Sequence, residues 1–331
     1  MTVLVTGGAG YIGSHMVLAL RDAGEKVVVL DNLSTGFRWA LPDDVPLYVG
    51  ETGNESLVTA IIGAHDVRAI IHFAASIVVP DSVSDPLGYY RNNTSNARSL
   101  IECAVKGGVK HFIFSSTAAV YGTPKTLPVA EDAPLAPESP YGTSKLMTET
   151  ILRDASRAHN MSHVILRYFN VAGADPAGRT GQSSRNATHL IKAGVQAALG
   201  IRPGLQVFGT DYPTPDGTCL RDYIHVSDLV AAHSSALAYL RDGGSSETFN
   251  CGYGRGYSVL DVIETVKRVS GLDFPVTYVA RRPGDATAVV AGNQRILAGL
   301  GWTPQRDDLD LIVGHAFAWE KKLGQRNDHS G

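Results

Sequence analysis

The sequence predicts an α/β fold, a doubly wound parallel sheet with helices on both faces, and three observations carry that expectation. The chain opens on an apolar strand, Val3-Leu4-Val5, followed by Thr6-Gly7-Gly8-Ala9-Gly10-Tyr11-Ile12-Gly13-Ser14-His15, which leaves room only for a tight turn before a helix starts. A second apolar run, Val27-Val28-Val29-Leu30, ends in Asp31 about twenty residues on. Beyond it, apolar runs and helical stretches alternate, as they do where right-handed crossovers bury both faces of parallel strands.

In the opening turn, Gly7 and Gly10 lack the Cβ that would hold a pyrophosphate off the backbone, and Gly13 lets the helix lie close on the strand. The helix N-terminus offers free N–H groups to an anion, so a dinucleotide is expected here, on a Rossmann-type fold. The spacing G-x-x-G-x-x-G differs from the commoner G-x-G-x-x-G, and a turn of this kind that has lost its ligand would read the same. Asp31 can accept hydrogen bonds from an adenosine ribose, and its charge disfavours a 2′-phosphate, which points to NAD rather than NADP. In chain order, strands are expected at 47–49, 69–73, 111–114 and 163–166, and helices at 11–23, 55–62, 87–106 and 141–159. Ligands gather beyond the carboxyl ends of such strands, which places Phe73-Ala74-Ala75 and Ser115-Ser116-Thr117 on the cofactor side.

After about residue 170 the rhythm changes. Glycine- and proline-rich stretches at 172–181 and 209–217 separate shorter elements, with helices expected at 188–199, 227–240, 259–270 and 309–323 and a frayed tail from about 325. This divides the chain into an NAD-binding domain, 1–170, and a smaller α/β part that acts as a lid and substrate domain, 171–331, segments of which can return to the first.

With 331 residues, 44% hydrophobic and 18% charged, the chain can bury a large core. A formal charge of −3 without a long basic run gives no reason to expect nucleic acid or an anionic membrane. No apolar run is long enough to cross a bilayer, and a strand beginning at residue 3 leaves no room for a signal peptide, so a cytoplasmic protein is expected. Cys103, Cys219 and Cys251 form neither a C-x-x-C pair nor an even set, and read as inert thiols. The eleven histidines show no metal-ligand spacing; His72 and His225 read as satisfied imidazoles, and no metal is expected.

The chemical centre is Tyr141-Gly142-Thr143-Ser144-Lys145, opening a helix after Ser139-Pro140. Tyr141 and Lys145 lie one turn apart on the same face. A phenol ionises near pKa ~10, and poising it near 7 takes about 4 kcal/mol at 1.36 kcal/mol per unit. The Lys145 ammonium and the positive ring of an oxidised nicotinamide are both charges of the right sign. Such a pair alone is commonly a surface stripe. Set behind the glycine turn and the strand ending in Thr117, whose hydroxyl can meet a substrate hydroxyl or keto oxygen, it reads as a catalytic pair.

Together, residues 6–14, Asp31-Asn32, Ser115-Ser116-Thr117 and Tyr141-x-x-x-Lys145 resemble the extended short-chain dehydrogenase/reductases. Tyr168-Phe169-Asn170, the stretch 208–218 and Arg221-Asp222-Tyr223-Ile224-His225-Val226 are similar more narrowly to the UDP-glucose 4-epimerase family, and the resemblance runs to about residue 320. It implies a redox-neutral cycle in which Tyr141 as phenolate takes the proton of the sugar 4-hydroxyl while the C4 hydride passes to bound NAD. The 4-keto sugar turns over, and the hydride returns to its other face. Lys145 would bind the nicotinamide ribose and hold the phenolate charge, and Thr117 would position the hydroxyl. The resemblance places NAD on Gly7, Gly10, Tyr11, Ile12, Asp31, Asn32, Ser34, Thr35, Gly36, Glu51, Thr52, Phe73, Ala74, Ala75, Asn92, Ser115, Tyr141, Lys145 and Phe169. The UDP-sugar falls on Thr117, Tyr141, Asn170, His189, Leu190, Gln206, Phe208, Arg221, Arg282, Asp285 and Val289. A guanidinium fork suits diphosphate oxygens and Asp285 would accept from the uridine ribose, although Arg281-Arg282 alone reads as a solvated basic pair.

Three positions depart from the family's pattern. Glu51-Thr52 stands where an Asp and an apolar residue often meet the adenine, and Ile77 replaces a Lys found near the cofactor in some members, so NAD retention can differ. Val289 stands at a gate in the sugar pocket that carries Tyr in members restricted to plain hexoses; a smaller side chain leaves volume for an acetamido group, so UDP-N-acetylglucosamine is a further expected substrate. A 4,6-dehydratase would carry Asp-Glu after the threonine, where this chain has Ala118-Ala119. A UDP-arabinose or UDP-uronate 4-epimerase and a non-catalytic NAD-sensing regulator stay open as alternatives. The family's homodimers imply an interface on helices 87–106 and 141–159, where Leu100, Ile101 and Ala104 fit an interface and an internal core equally well.

Overall fold

The structure, a computed structural model, describes residues 1–184, 188–282 and 285–328. Seven strands form its central sheet. They are β1 (Thr2–Thr6), β2 (Lys26–Asp31), β3 (Leu47–Val49), β4 (Val67–His72), β5 (His111–Thr117), β6 (Ser162–Tyr168) and one strand from the second half of the chain. Helices α1 (Tyr11–Asp22), α2 (Glu55–His65), α3 (Val79–Ser84), α4 (Pro86–Tyr89), α5 (Asn96–Lys106) and α6 (Pro140–Ala158) lie between them. The second half adds β7 (Asn170–Ala172), α7 (Leu190–Ala198), β8 (Leu205–Phe208), β9 (Leu220–Arg221), β10 (Tyr223–His225), α8 (Val226–Arg241), β11 (Glu247–Cys251), β12 (Tyr257–Ser258), α9 (Val259–Ser270), β13 (Val276–Val279), β14 (Ala288–Val289), α10 (Gln294–Leu300) and α11 (Leu309–Asp328).

The strand order is β11-β6-β5-β4-β1-β2-β3, parallel throughout. The order reverses beside β1, so the crevice between the ends of β1 and β4 is the switch point at which ligands bind in such sheets. Apolar residues in unbroken runs are needed because the pleat sends neighbours to opposite faces. Val3, Val5, Val29 and Ile71 meet Met16 and Val17 of α1 and Leu229 of α8, whereas Leu4, Val28, Leu30 and Ile70 meet Ile61 of α2 and Leu100 of α5. Each such side chain stabilises the fold by roughly 1.5–3 kcal/mol relative to exposure.

The first six strands and α1, α2, α5 and α6 fall where the sequence places them; α3 was not expected, and two further stretches differ. The helix expected over 87–106 is broken: between α4 and α5 the residues Tyr90–Ser95 wind as a π-helix, which turns the Asn93 side chain inward to Ser76 and Ser144. Of the tail expected to fray from about 325, residues 325–328 continue α11, where the preceding Lys321-Lys322-Leu323 are good helix formers, and 329–331 lie outside the described residues.

In the second half, α7, α9 and α11 pack together and small sheets pair β7 with β10, β8 with β13, and β9 with β12 and β14. This part is not set apart from the first. β11 extends the central sheet beyond β6, and α8 packs on α1, β5 and β6.

Candidate active site

The glycine turn is shaped first by its own backbone. Gly7 has φ +69°, and a Cβ there would stand 2.6 Å from the Ala74 nitrogen just beyond β4. Its glycine is therefore required by the fold itself, rather than only by ligand approach as expected. A Cβ on Gly13 would come within 2.1 Å of the Gly7 carbonyl oxygen, so the close seat of α1 depends on it. Gly10 differs: a Cβ there would meet only that carbonyl, at 3.3 Å. Gly10 also begins α1 without a side-chain cap, which leaves helix N–H groups for an anion near Tyr11 and Ile12.

Asp31 closes β2 under this turn. Its carboxylate accepts from the backbone N–H of Ala9 at 2.9 Å and of Leu33 at 2.8 Å; burial raises its pKa, and those two bonds oppose the rise. The following loop holds Ser34 through the Asn32 side chain, and Asn32 also donates to Glu51 at 3.0 Å. Gly36 lies so near Ala9 that a Cβ would clash with its carbonyl, and Thr35 lines a shallow cleft with Gly10, Tyr11 and Ser14. Thr52 is buried beside the exposed Glu51. Across the crevice, Phe73 sits 4.8 Å from the His233 ring, Ala74 and Ala75 follow it, and Asn92 donates to Ser76 at 2.9 Å.

The end of β5 meets α6 in three successive contacts. The Ser115 carbonyl accepts from Lys145 Nζ at 2.9 Å, the Ser116 hydroxyl donates to Glu149 Oε1 at 2.6 Å, and the Thr117 side chain stands beside the Tyr141 phenol and lowers its pKa. Tyr141, Lys145 and Glu149 recur every four residues, so one face of α6 carries all three. Two local choices bring the helix this close. Ser139 caps it by accepting from Gly142 N at 3.2 Å, and a Cβ on Gly142 would stand 2.6 Å from the Ala119 carbonyl oxygen.

The electrostatics correct one expectation. Burial raises the Tyr141 phenol, Thr117 partly offsets that, and Lys145 does not offset it. Lys145 donates to the Ser115 carbonyl and stands 4.9 Å over the Phe114 ring; burial pushes it down to about 7 against the pull of Glu149. The chain alone therefore does not poise the phenol near neutrality.

The sugar-nucleotide residues fall into separate groups. Arg221 in β9 and Val289 in β14 are register partners in parallel strands, and Arg221 donates to the Leu220 carbonyl at 2.8 Å. Arg282 stacks 4.3 Å from the Phe208 ring centroid, and its Nε donates to Asp285 at 3.0 Å, so it joins the other two. Its neighbour Arg281 stacks on Tyr212 at 4.0 Å and pairs with Asp211 at 2.7 Å, so both arginines stay exposed, as the pair alone implied, but each has an aromatic and an acidic partner. His189 begins α7 with Leu190 behind it, and its Nδ1 is 2.8 Å from Gln182 Nε2. Asn170 pairs with Tyr223 between β7 and β10. Phe169 is buried in a cluster with Ala118, Tyr121 and Ala291, against which Val289 packs. Gln206, in β8, is exposed.

The remaining histidines and cysteines are placed by their contacts. His72 Nδ1 lies 2.6 Å from the Thr6 hydroxyl, and His225 accepts from Ser227 N at 3.0 Å while its other nitrogen meets His315 at 2.9 Å; both imidazoles are engaged. All three cysteines are buried and free. Among the described residues no group of three potential ligands could hold a metal ion, and no helix is long and apolar enough to cross a membrane.

The sequence reading missed Glu149, Arg167 and Asp222. Glu149 was detectable as the next residue of the Tyr141-Lys145 series, and Asp222 lies inside a motif already noted. Asp222 accepts from the backbone N–H of Tyr253, Gly254 and Ala291 at 3.0, 2.9 and 3.1 Å, which anchors the ends of β9 and β14.

Comparison with known proteins agrees with this geometry. The sequence model described as the NAD dependent epimerase/dehydratase family matches residues 3–252. A UDP-glucose 4-epimerase from Azospirillum brasilense is 57% identical over 99% of this chain and 94% of its own. The solved structure of UDP-glucose 4-epimerase from Brucella ovis in complex with NAD superposes with a TM-score of 0.93 at 41% identity, over 96% of this chain and 97% of that one. The UDP-Glc/GlcNAc 4-epimerase of Campylobacter jejuni gives a TM-score of 0.85 at 47% identity, over 97% and 99%. A glycine turn at the sheet's switch point, a Tyr-x-x-x-Lys helix on the neighbouring strand end and near full-length similarity lead to one placement: the chain belongs to the NAD dependent epimerase/dehydratase family, among its UDP-glucose 4-epimerases.

Proposed function

We propose that the chain catalyses the reversible, NAD-dependent 4-epimerisation of UDP-glucose and UDP-galactose. The contact that carries the reading is Tyr141 against Thr117, with Lys145 buried one turn on. Bound NAD supplies an acceptor that takes the C4 hydrogen with its electron pair and gives it back. The uncapped N-terminus of α1 and the open side of Gly10 fit its pyrophosphate, and Asp31 fits a ribose. Thr117 orients the sugar 4-hydroxyl, and Tyr141 removes its proton and later returns it to the keto oxygen on the other face. The Lys145 ammonium provides the nearby positive charge within a dry site, where such a charge acts strongly. Because the phenol is raised by burial, its ionisation depends on cofactor occupancy. Residues 1–170 hold the cofactor in this reading, and 171–331 supply most of the UDP-sugar contacts, Arg221, Arg282 and Asp285 among them.

The decisive experiment incubates purified protein with UDP-galactose and no added NAD. Formation of UDP-glucose without net reduced cofactor is expected. Stoichiometric accumulation of reduced nicotinamide in solution overturns the reading, and turnover of only UDP-arabinose or a UDP-uronate transfers the site to a different sugar.

A wider sugar range is favoured by Val289, a small side chain in register with Arg221, and by the Campylobacter jejuni relative, whose name includes UDP-GlcNAc. The reading includes a homodimer and a cytoplasmic location. Leu100, Ile101 and Ala104 are consumed by the chain's own core, so a dimer on these helices uses instead the exposed Leu87 and Met147. Three free thiols fit a reducing compartment. Light scattering and cell fractionation test the two.

A further inference from the structure

Behind the Tyr141–Lys145 pair lies a charge that the reaction does not touch. Glu149 is fully buried on the same face of α6, one turn beyond Lys145. It accepts from Ser116 Oγ at 2.6 Å, from Arg167 Nε and Nη2 at 2.9 and 2.7 Å, and from Arg153 Nη2 at 2.8 Å. Arg167, 2% exposed, continues to the Tyr121 hydroxyl at 2.9 Å, and Tyr121 donates to Asn250 of β11 at 2.6 Å. A buried ion pair contributes little net stability over an apolar substitute of similar shape, so stability alone does not account for it.

What the pair does contribute is placement. Ser115 and Ser116 are adjacent on β5, and one receives Lys145 while the other grips Glu149. We propose that Glu149 is a positioning residue for the epimerisation, a fixed anion under Lys145 that keeps its side chain protonated and seated on the Ser115 carbonyl. The other titratable groups near Lys145 offer it no anion: Tyr141 lies one turn back on its own helix, and His72 on β4 is kept neutral by burial. Burial opposes the charge on Glu149, but its bonds and charge pairing with Arg167 outweigh burial and keep it ionised. Its pull on Lys145 acts against the burial that lowers the ammonium. Without that anion, Lys145 loses its proton at lower pH, leaves the Ser115 carbonyl, and no longer supplies the charge that the phenolate needs.

The proposal rests on the role given to Lys145 above, so its test separates the two. In protein labelled with 15N-lysine, the Lys145 ammonium signal, identified by its absence from Lys145→Met, is titrated in the wild type, in Glu149→Gln, and in Glu149→Gln/Arg167→Met, which removes the unpaired arginine as well. Both Glu149 variants are expected to lower the Lys145 midpoint by about one unit or more, and to draw the alkaline limb of kcat to lower pH with KM for the UDP-sugar little changed. An unmoved midpoint in the double variant overturns the proposal, whatever its activity. A lowered midpoint together with an unmoved kcat profile upholds the electrostatic coupling and overturns the role of Lys145 in turnover.

Discussion

Thr117, the last residue of β5, stands beside the Tyr141 phenol in the first turn of α6, so the proton-handling group and the group that orients the hydroxyl are set by one helix-to-strand contact. Tyr141→Phe removes the acid/base and keeps the ring. Epimerisation should fall by about 10²–10⁴-fold, while NAD content, read by extraction and absorbance, stays at the wild-type level. Undiminished turnover removes Tyr141 from the chemistry.

Arg282 is held by the Phe208 ring and the Asp285 carboxylate. If it meets the diphosphate, Arg282→Ala should weaken UDP binding by about 10–100-fold, the loss of a hydrogen bond to a charged group. Isothermal titration with UDP measures it, and equal affinity rules the contact out.

Val289 lies in register with Arg221 and against the Phe169 cluster. Val289→Tyr should lower turnover of UDP-N-acetylglucosamine at least about tenfold and leave UDP-glucose turnover largely intact. Side-by-side initial rates decide it; no N-acetyl turnover by the wild type sinks the wider range outright.

Acid should unfold this protein early. Among the described residues burial is the first cause of lowered pKa in eight histidines, and five of the shifts are large: His72 and His225 to about 3, and His15, His163 and His233 to about 4. Their folded values lie below the unfolded value near 6.5, so the unfolded chain binds protons first and stability is lost as pH falls from about 6.5 towards 4. Each histidine contributes a slope of up to about 1.4 kcal/mol per pH unit. Asp222, raised by burial to about 6, works in the opposite direction over about 4–6, as one group against five. Tm should drop steadily between pH 7 and pH 5; a flat profile refutes the balance.

The central strands were legible because each is apolar on both faces, and Val3-Leu4-Val5 leaves little choice of partner layer. β11 was not: Glu247, Thr248 and Asn250 interrupt its apolar pattern, and Asn250 is there for Tyr121 and Val129 rather than for the core. Strands of two residues, such as β9 and β14, are too short to show a period. Within the site, Tyr141, Lys145 and Thr117 could be read from spacing. The burial of Glu149 could not, since a helical glutamate ordinarily faces water and its partner Arg167 lies on a different strand. Arg281 and Arg282 likewise acquire their aromatic and acidic partners only through the approach of distant segments.

The strand that β11 lends to the sheet limits how this chain can be cut. A fragment ending at residue 170 would keep the glycine turn and the Tyr141 helix, yet it would bare the hydrogen-bonding edge of β6 and, with α8 gone, the Val164 and Leu166 side chains as well. Naked edges of that kind pair with one another. Such a fragment should precipitate on expression, and sedimentation of the lysate reads that out. Recombination between relatives would accordingly have to exchange residues 1–170 and 226–251 as one heritable unit.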